Sequence, residues 1–359
     1  MAQPGPSRSR KGCGLFIMLV ILAALAAWIW RAELGFWVFT RIAEDRAGRN
    51  ALAELDPNAL NIGFCGTGSP LPDRDRGEAC TVVVAGGRLF IFDTGEGAAK
   101  TLTLMGMPLG KVEGVWLTHL HSDHFQGLGN VALQRWAGTS ATTPLPVFGP
   151  EGVAEVTQGL NMAYRIDSTY RVAHHGVKAV PPSGFGMAGT AIAPGVVYDK
   201  DGVRITAFAV HHDPVKPAFG YRLDWKGRSV TLSGDTAASP SLVAAAKGSD
   251  VLVHEMINTK MVRVLQDASA RDGRPGRAKI MADIPSYHTP PEVAADEAKA
   301  AGVKLLAFAH VIPSVPWPLE ATLVGDAPKR FGGPVWVMHD GDVISVGADG
   351  KAKRSNLIR

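Results

Sequence analysis

Cysteine is scarce in this chain: Cys13, Cys65 and Cys80 are three in 359 residues. Three thiols build neither a disulfide framework nor a four-cysteine structural zinc site. A surplus of one charge is also missing. Lys and Arg number 37 against 33 Asp and Glu, and the net charge of +4 has no long basic block behind it. On charge alone a nucleic-acid partner is not favoured. What is present excludes a disordered or fibrous chain. Hydrophobic residues make up 46% and charged residues 19%, enough for a full core in one large domain or two ordinary ones. Gly (41) and Pro (24) are plentiful, so turns should be many. No sharp internal repeat is visible.

Charge is absent altogether from Gly12 to Trp30, and Leu15 to Trp30 is almost purely apolar. Nineteen residues at about 1.5 Å each just reach across a hydrocarbon core of roughly 30 Å. Residues 1–11 carry Arg8, Arg10 and Lys11 and no acid; Trp28 and Trp30 fall at the far interface, and the first acid is Glu33. The positive-inside rule puts the N-terminus in the cytoplasm and the rest outside, in the periplasm if the source is bacterial. The expected organisation is a cytoplasmic segment over 1–11, a single-pass transmembrane signal anchor over 12–30, a juxtamembrane linker over 31–60 and one folded domain over 61–359. A cleaved signal peptide is the main rival, with Ala24-Leu25-Ala26 as its cleavage site. Against it, the apolar run continues through Ile29 and Trp30. A buried core helix is the other rival. In the linker, LGFWVF could lie in the membrane interface, and RIAEDRAGRNALAEL has helical character ended by Asp56-Pro57-Asn58.

After Asn61 the texture changes to short β-type runs with Gly-rich turns. NIGFCG, CTVVVAG, RLFIFDTG, GVWLTH, VRITAFAV, FGYRLDW, RSVTLSGD, DVLVHE and KLLAFAH read as strands. KTLTLMGM, SLVAAAKG and PPEVAADEAKAAG read as helices. PVWVMHDGDVISVG reads as a closing hairpin turning at Asp340-Gly341. Two sheets packed face to face and covered by helices are expected, an α/β fold. A Pro- and Gly-rich insertion at about 158–200, holding His174 and His175, reads as a packed or solvated loop; a substrate-contacting lid is the sharper alternative. Cys65 and Cys80 lie on the first two strands. Two unconnected buried thiols or, in an extracytoplasmic setting, a disulfide both stay open there, the thiols preferred.

The decisive stretch is Thr118-His119-Leu120-His121-Ser122-Asp123-His124, directly after the apolar strand VWL. At an extended strand end, residues two apart share a face, so His119 and His121 can point at one metal. Where the chain turns, Asp123 and His124 can reach a second. Three histidines and an aspartate packed together call for a compensating metal or acid.

This H-x-H-x-D-H run resembles the signature of the metallo-β-lactamase fold superfamily, and the resemblance covers residue 61 to the end. Gly66-Thr67-Gly68-Ser69-Pro70 and Phe92-Asp93-Thr94-Gly95-Glu96-Gly97 look like the opening of its ribonuclease Z and arylsulfatase-like branch. Val210-His211-His212-Asp213-Pro214, Ala218-Phe219-Gly220-Tyr221-Arg222, Ser233-Gly234-Asp235-Thr236 and Ala309-His310 match further segments. The resemblance implies an αββα metallo-β-lactamase-type sandwich, here preceded by the predicted transmembrane helix. It implies two zinc ions per chain, one held by His119, His121 and His212, the other by Asp123, His124 and His310, with Asp235 bridging. The family pattern has Asp-His where this chain has His211-His212; spacing favours His212 as the ligand. Asp93 would support the histidine loop from behind. Tyr287-His288-Thr289 and Val253-His254-Glu255 resemble the segments that carry the proton-donating histidine and its supporting glutamate. Asp123, His288 and Glu255 are therefore the expected catalytic residues, with His288 as general acid and Glu255 orienting it. For His288 the plain alternative is a residue that merely precedes the helix capped by Thr289.

The expected function is a membrane-anchored dinuclear zinc hydrolase whose metal-bound hydroxide attacks a phosphodiester or sulfate ester. Its expected partners are a small-molecule ester and, through the N-terminal helix, the membrane. One alternative is a tRNA 3′-processing endonuclease of the ribonuclease Z kind. Against it, only four residues separate Gly220-Tyr221-Arg222 from Gly227-Arg228-Ser229, too few for an RNA-clamping arm there, and the topology faces away from cytoplasmic tRNA. A lactonase or β-lactamase is a second alternative, and a non-enzymatic metal-binding scaffold a third.

Overall fold

The structure, a computed structural model, describes residues 9–358; of the expected cytoplasmic segment over 1–11, residues 1–8 lie outside the described residues. The chain divides into two compact units, Met1–Asn50 and Ala51–Arg359.

The first unit is two helices, Ser9–Ile29 and Arg31–Gly48. Among the described residues no single helix is long and apolar enough to cross a membrane. Cys13–Ile29 and Arg31–Gly48 pass that test only as a pair, bent by 71°. A signal sequence would pass it too. The second helix occupies much of the stretch expected as a linker. Leu15, Phe16, Trp28, Phe36, Trp37 and Phe39 are all exposed.

The second unit is built on fifteen strands among the described residues. In chain order they are β1 (Leu60–Gly66), β2 (Cys80–Ala85), β3 (Arg88–Phe92), β4 (Val112–Trp116), β5 (Leu145–Gly149), β6 (Met187–Ala191), β7 (Gly195–Lys200), β8 (Val203–Ala209), β9 (Phe219–Trp225), β10 (Arg228–Leu232), β11 (Val251–Ile257), β12 (Leu305–Ile312), β13 (Val335–Val337), β14 (Asp342–Val346) and β15 (Ala352–Asn356). They form an eight-stranded sheet ordered β15-β14-β1-β2-β3-β4-β5-β6 and a seven-stranded sheet ordered β13-β12-β11-β10-β9-β8-β7. Both sheets mix parallel and antiparallel pairs.

Alternation along the strands builds the layers. Phe90 and Phe92 join Trp116, Tyr221, Leu223 and Val253 in the core between the sheets. Leu89 and Ile91, pointing the other way, pack with Leu102, Leu128 and Val131 under the outer helices of the first sheet. On the far side of the second sheet, Leu252, Leu306 and Phe308 pack with Ala294, Ala298 and Leu242 from its helices. The expected αββα sandwich is present. Ala51 and Leu55, from the stretch expected as linker, are buried in the first of these outer cores.

Three local expectations are corrected. The closing segment is not a hairpin: β13 pairs with β12 in one sheet, while β14 pairs with β1 in the other. At the crossing the Asp340 carboxylate is held by accepting from Thr67 N (3.0 Å), Thr67 Oγ1 (2.8 Å) and Gly77 N (2.7 Å). The insertion holding His174 and His175 is chiefly a helix, Val153–Ala179, kinked at Gly176, rather than a loop. Cys65 and Cys80 are joined in a disulfide, their Cα atoms 4.9 Å apart. Adjacent antiparallel strands place them there, since the register shift after Phe64 leaves Cys65 beside Cys80. The turn between β9 and β10 is as short as the sequence implies. Lys226 (φ 47°) and Gly227 (φ 72°) both take the positive φ of a two-residue hairpin turn.

Candidate metal centre

The site is assembled where the loops after β3, β4, β8 and β10 meet, with His310 supplied from near the end of β12. β4 delivers Thr118 and His119 in an extended stretch, and the short helix Ser122–Phe125 then turns Asp123 and His124 back inward. Asp93, just after β3, fixes that loop. Its carboxylate accepts from Thr118 N (2.8 Å), Thr118 Oγ1 (2.9 Å) and His124 Nδ1 (2.8 Å). The second sheet braces it from below: Tyr221 donates its hydroxyl to Leu117 O (2.6 Å), and Phe219 N donates to Thr118 O (2.9 Å). Asp93 (φ 57°) and His310 (φ 51°) are both held in left-handed backbone, a conformation non-glycine residues adopt mainly where the surroundings impose it. Gly234 (φ 61°) has to be glycine, because a Cβ there would lie 2.5 Å from Phe219 O.

Every residue expected as a ligand arrives at one place. His119, His121 and His212 bring a nitrogen each within 4.8 Å of one another, and so do His124 and His310 with the Asp123 carboxylate. Asp235 meets both neighbourhoods, grouping with His119 and His124 and again with His288 and His310. Its Oδ2 lies 3.3 Å from His124 Nε2 and 3.4 Å from His310 Nε2. Hydrogen bonds set the imidazole tautomers. His124 gives its Nδ1 proton to Asp93, leaving Nε2 inward; His212 gives its Nδ1 proton to Tyr287 O (3.1 Å) and turns Nε2 toward His121 (3.3 Å). His212 is buried and part of the cluster, whereas His211 is exposed, with Nδ1 3.3 Å from Ala238 O. His174 and His175 are exposed on the helix Val153–Ala179 and take no part.

Charge and solvation suit this donor set to a metal. Burial holds the imidazoles of His119, His121 and His212 below their ordinary range, so they are neutral, as ligands must be. Burial also opposes charge on His124 and His310, but the surrounding carboxylates win. Asp235, Asp93 and Asp123 raise His124 well above its usual value, and Asp235 with Asp123 lifts His310 to about 9. Asp123 and Asp235 stay ionised far below the normal carboxylate range: burial works against them, and the neighbouring histidines overcome it. Protons on two buried imidazoles thus stand where divalent cations would balance the carboxylates. His124 Nε2, His288 Nδ1, His310 Nδ1 and Glu255 Oε2 are buried without a hydrogen-bond partner. A hollow of about 50 Å³ touches His124, Asp235, Glu255 and His310.

His288 is buried at the same centre. Its Nδ1 lies 3.4 Å from Glu255 Oε1 and 3.9 Å from Asp235 Oδ2, so the geometry admits ligation as well as proton donation. Glu255 Oε1 also accepts from Thr289 N (2.7 Å), which ties the His288 segment to β11.

The sequence offered no signal for Arg76. This buried side chain donates to Thr67 Oγ1 (2.8 Å), Met338 O (2.6 Å) and Glu320 Oε1 (2.7 Å), and Glu320 Oε2 in turn lies 3.0 Å from His339 Nε2. It ties Thr67, Met338 and Glu320 together beside β12, the strand that carries His310.

Residues 88–311 match the family model described as a beta-lactamase superfamily domain. The chain belongs to the metallo-β-lactamase superfamily. Its His/Asp clusters are those of a dinuclear metal site, and it is a metal-dependent hydrolase. A protein named ribonuclease Z from Mycobacterium avium (strain 104) is 35% identical over 291 residues, which span 80% of this chain and 99% of that one. Among solved structures, the metallo-β-lactamase fold protein YhfI from Bacillus subtilis superposes with a TM-score of 0.59 at 19% identity, covering 80% of this chain and 99% of its own. The short form of human tRNase Z superposes with a TM-score of 0.54 at 21% identity, covering 79% and 98%. At these identities the two structures establish the superfamily fold.

Proposed function

We propose that this member of the superfamily is a dinuclear zinc phosphodiesterase of the ribonuclease Z kind, cutting a phosphodiester bond in RNA. The observation that carries the proposal is 35% identity to a ribonuclease Z along 99% of that enzyme's length. It favours the RNA-cutting alternative over the small phosphate or sulfate ester of the sequence-based expectation.

In this reading His119, His121 and His212 would hold one zinc and Asp123, His124 and His310 the other, with Asp235 within reach of both groups. When bound, zinc would supply a water activated near neutral pH and positive charge for the phosphoryl oxygens. The chain's own residues do the rest. Asp93 and the Tyr287 carbonyl orient the inward nitrogens of His124 and His212. His288, 3.4 Å from Glu255, is placed to give a proton to the departing oxygen, and Glu255 steadies its segment by accepting from Thr289 N.

For the N-terminal unit we propose a membrane anchor, with the catalytic unit outside the cytoplasm. The uncharged stretch after Lys11, the exposed apolar side chains of both helices and the Cys65–Cys80 disulfide support it. Disulfides persist in oxidising compartments. On that topology the RNA met by the enzyme lies outside the cytoplasm. A reporter fused to the C-terminus and active only in the cytoplasm would sink the anchor proposal.

The function is tested by offering the zinc-loaded full chain a 3′-extended tRNA precursor, bis(p-nitrophenyl) phosphate, an aryl sulfate and a lactone side by side. Cleavage of the two phosphodiesters is expected. Turnover of the sulfate or lactone with both diesters intact would overturn the reading.

A further inference from the structure

Between β11 and His288 the chain makes a helical hairpin, Thr259–Arg271 and Pro275–Asp283. Its inner face is anchored. Val262 and Met281 are buried with Ile284, four residues before His288, and with Ile312, two residues after His310. Its outer face is unusually basic for this chain. Residues 259–283 hold six cations and three acids, most of the +4 surplus of the whole sequence. All six cations are exposed. Arg274 pairs with Asp272 (2.8 Å) and Lys279 with Asp283 (2.5 Å). Lys260, Arg263, Arg271 and Arg277 have no carboxylate partner among the described residues. At the hairpin's turn, Arg271, Arg274 and Arg277 line an open hollow of about 440 Å³ together with Leu265, Ser269 and Asp272.

We propose that this hairpin is the surface that holds the RNA phosphate backbone beside the metal centre. Three guanidiniums around one concavity suit phosphate, which they can grip through two parallel hydrogen bonds each. A polymer whose scissile phosphate sits at the metals must carry its next phosphates across neighbouring surface, and the packed core of the hairpin joins that surface to the segments carrying His288 and His310. The two-residue turn between β9 and β10 leaves no arm there for the task. Arginines in a concave setting favour a nucleic-acid backbone over a lipid surface, although Val264 and Ile280 are exposed on the same hairpin.

The inference rests on the phosphodiesterase reading, and its test separates the two. The full chain in detergent and the variants R271Q/R274Q/R277Q and R271E/R274E/R277E are titrated with a 3′-extended RNA hairpin by fluorescence anisotropy across a salt series. Turnover of bis(p-nitrophenyl) phosphate is measured in parallel. The neutral variant should bind RNA more weakly and lose about 2–3 from the slope of log affinity against log salt. The reversed variant should bind more weakly still. Turnover of the small diester should change less than twofold in both. Unchanged RNA affinity and slope would overturn the hairpin proposal. A protein that turns over neither substrate but loses RNA binding in the variants would keep the hairpin and sink the phosphodiesterase. In nanodiscs, hydrogen-exchange protection of residues 259–283 by phosphatidylglycerol but not by RNA would assign the surface to lipid instead and overturn the proposal.

Discussion

Asp93 is the residue whose replacement most sharply separates holding the metal from holding the fold. Its carboxylate accepts three hydrogen bonds, two from Thr118 and one from His124 Nδ1, all between 2.8 and 2.9 Å. Asp93→Ala removes all three. Hydrogen bonds to a charged group are worth about 1.5–3 kcal/mol each, and the buried Thr118 N–H would be left unpaired. Because the bonds act as a unit they do not add, and a stability loss of about 3–5 kcal/mol is expected. Asp93→Asn is the more informative change. Asparagine tolerates the φ of 57° and can still accept from Thr118 N. Its amide nitrogen, however, would meet the Nδ1–H of His124. That imidazole must then move its proton to Nε2, the atom facing Asp123 and Asp235 at 3.5 and 3.3 Å. Loss of such an outer partner typically costs about 10–100-fold in metal affinity. The assay is competitive zinc titration against a chromophoric chelator, with thermal unfolding in EDTA alongside. Asp93→Asn should lose about 10–100-fold in zinc affinity while unfolding near the parent temperature without metal. Unchanged zinc affinity would show that the tautomer of His124 does not govern the site.

Three further outcomes are expected. His288→Ala should slow an alkyl phosphodiester by about 10²–10⁴-fold and an activated aryl diester far less, with zinc content unchanged; equal slowing of both, or loss of metal, would make His288 a structural or ligand residue. His254 is buried, giving its Nδ1 proton to Glu255 O (2.6 Å) with Nε2 3.3 Å from Glu297 Oε2; burial opposes its charge, but Glu297 raises its pKa. The pair's contribution to stability is therefore complete below the unfolded histidine value of about 6.5 and fades as pH rises through the higher folded value, so the gap in unfolding temperature between parent and His254→Gln should narrow above that pH; a pH-independent gap would refute the pairing. Gly234→Ala should destabilise the metal loop, since its Cβ would sit 2.5 Å from Phe219 O, and calorimetry showing a parent-like transition would contradict that.

The candidate metal cluster was legible because ligand-type side chains are concentrated at or just after strand ends. The seven expected positions lie together in the structure, joined there by His288, and the layered fold follows from strands that alternate as Leu89 to Phe92 do. Long-range polar contacts were not legible. Asp340-Gly341 between two apolar runs reads as a hairpin turn, and nothing local announces that Asp340 binds Thr67 and Gly77 across the molecule or that its flanking strands pair in opposite sheets. The helix Val153–Ala179 escaped because its sequence carries Gly159 and Gly176, the latter at a kink, and it buries little, chiefly Val153, Thr157 and Ser168. Arg76 sits in a polar stretch that gives no hint of burial. Cys65 and Cys80 could be placed on neighbouring strands, but their pairing depended on the register shift after Phe64.

In the proposed function this histidine and aspartate set would hold two metals, and the chain cuts a phosphodiester. The most direct test is one titration of the metal-free full chain with zinc, following cleavage of a 3′-extended tRNA precursor against equivalents added, with Asp235→Ala in parallel. Activity should rise to a plateau at two equivalents per chain and be abolished in the variant. A plateau at one equivalent, full activity without zinc, or an Asp235→Ala enzyme that cuts as well as the parent would contradict it.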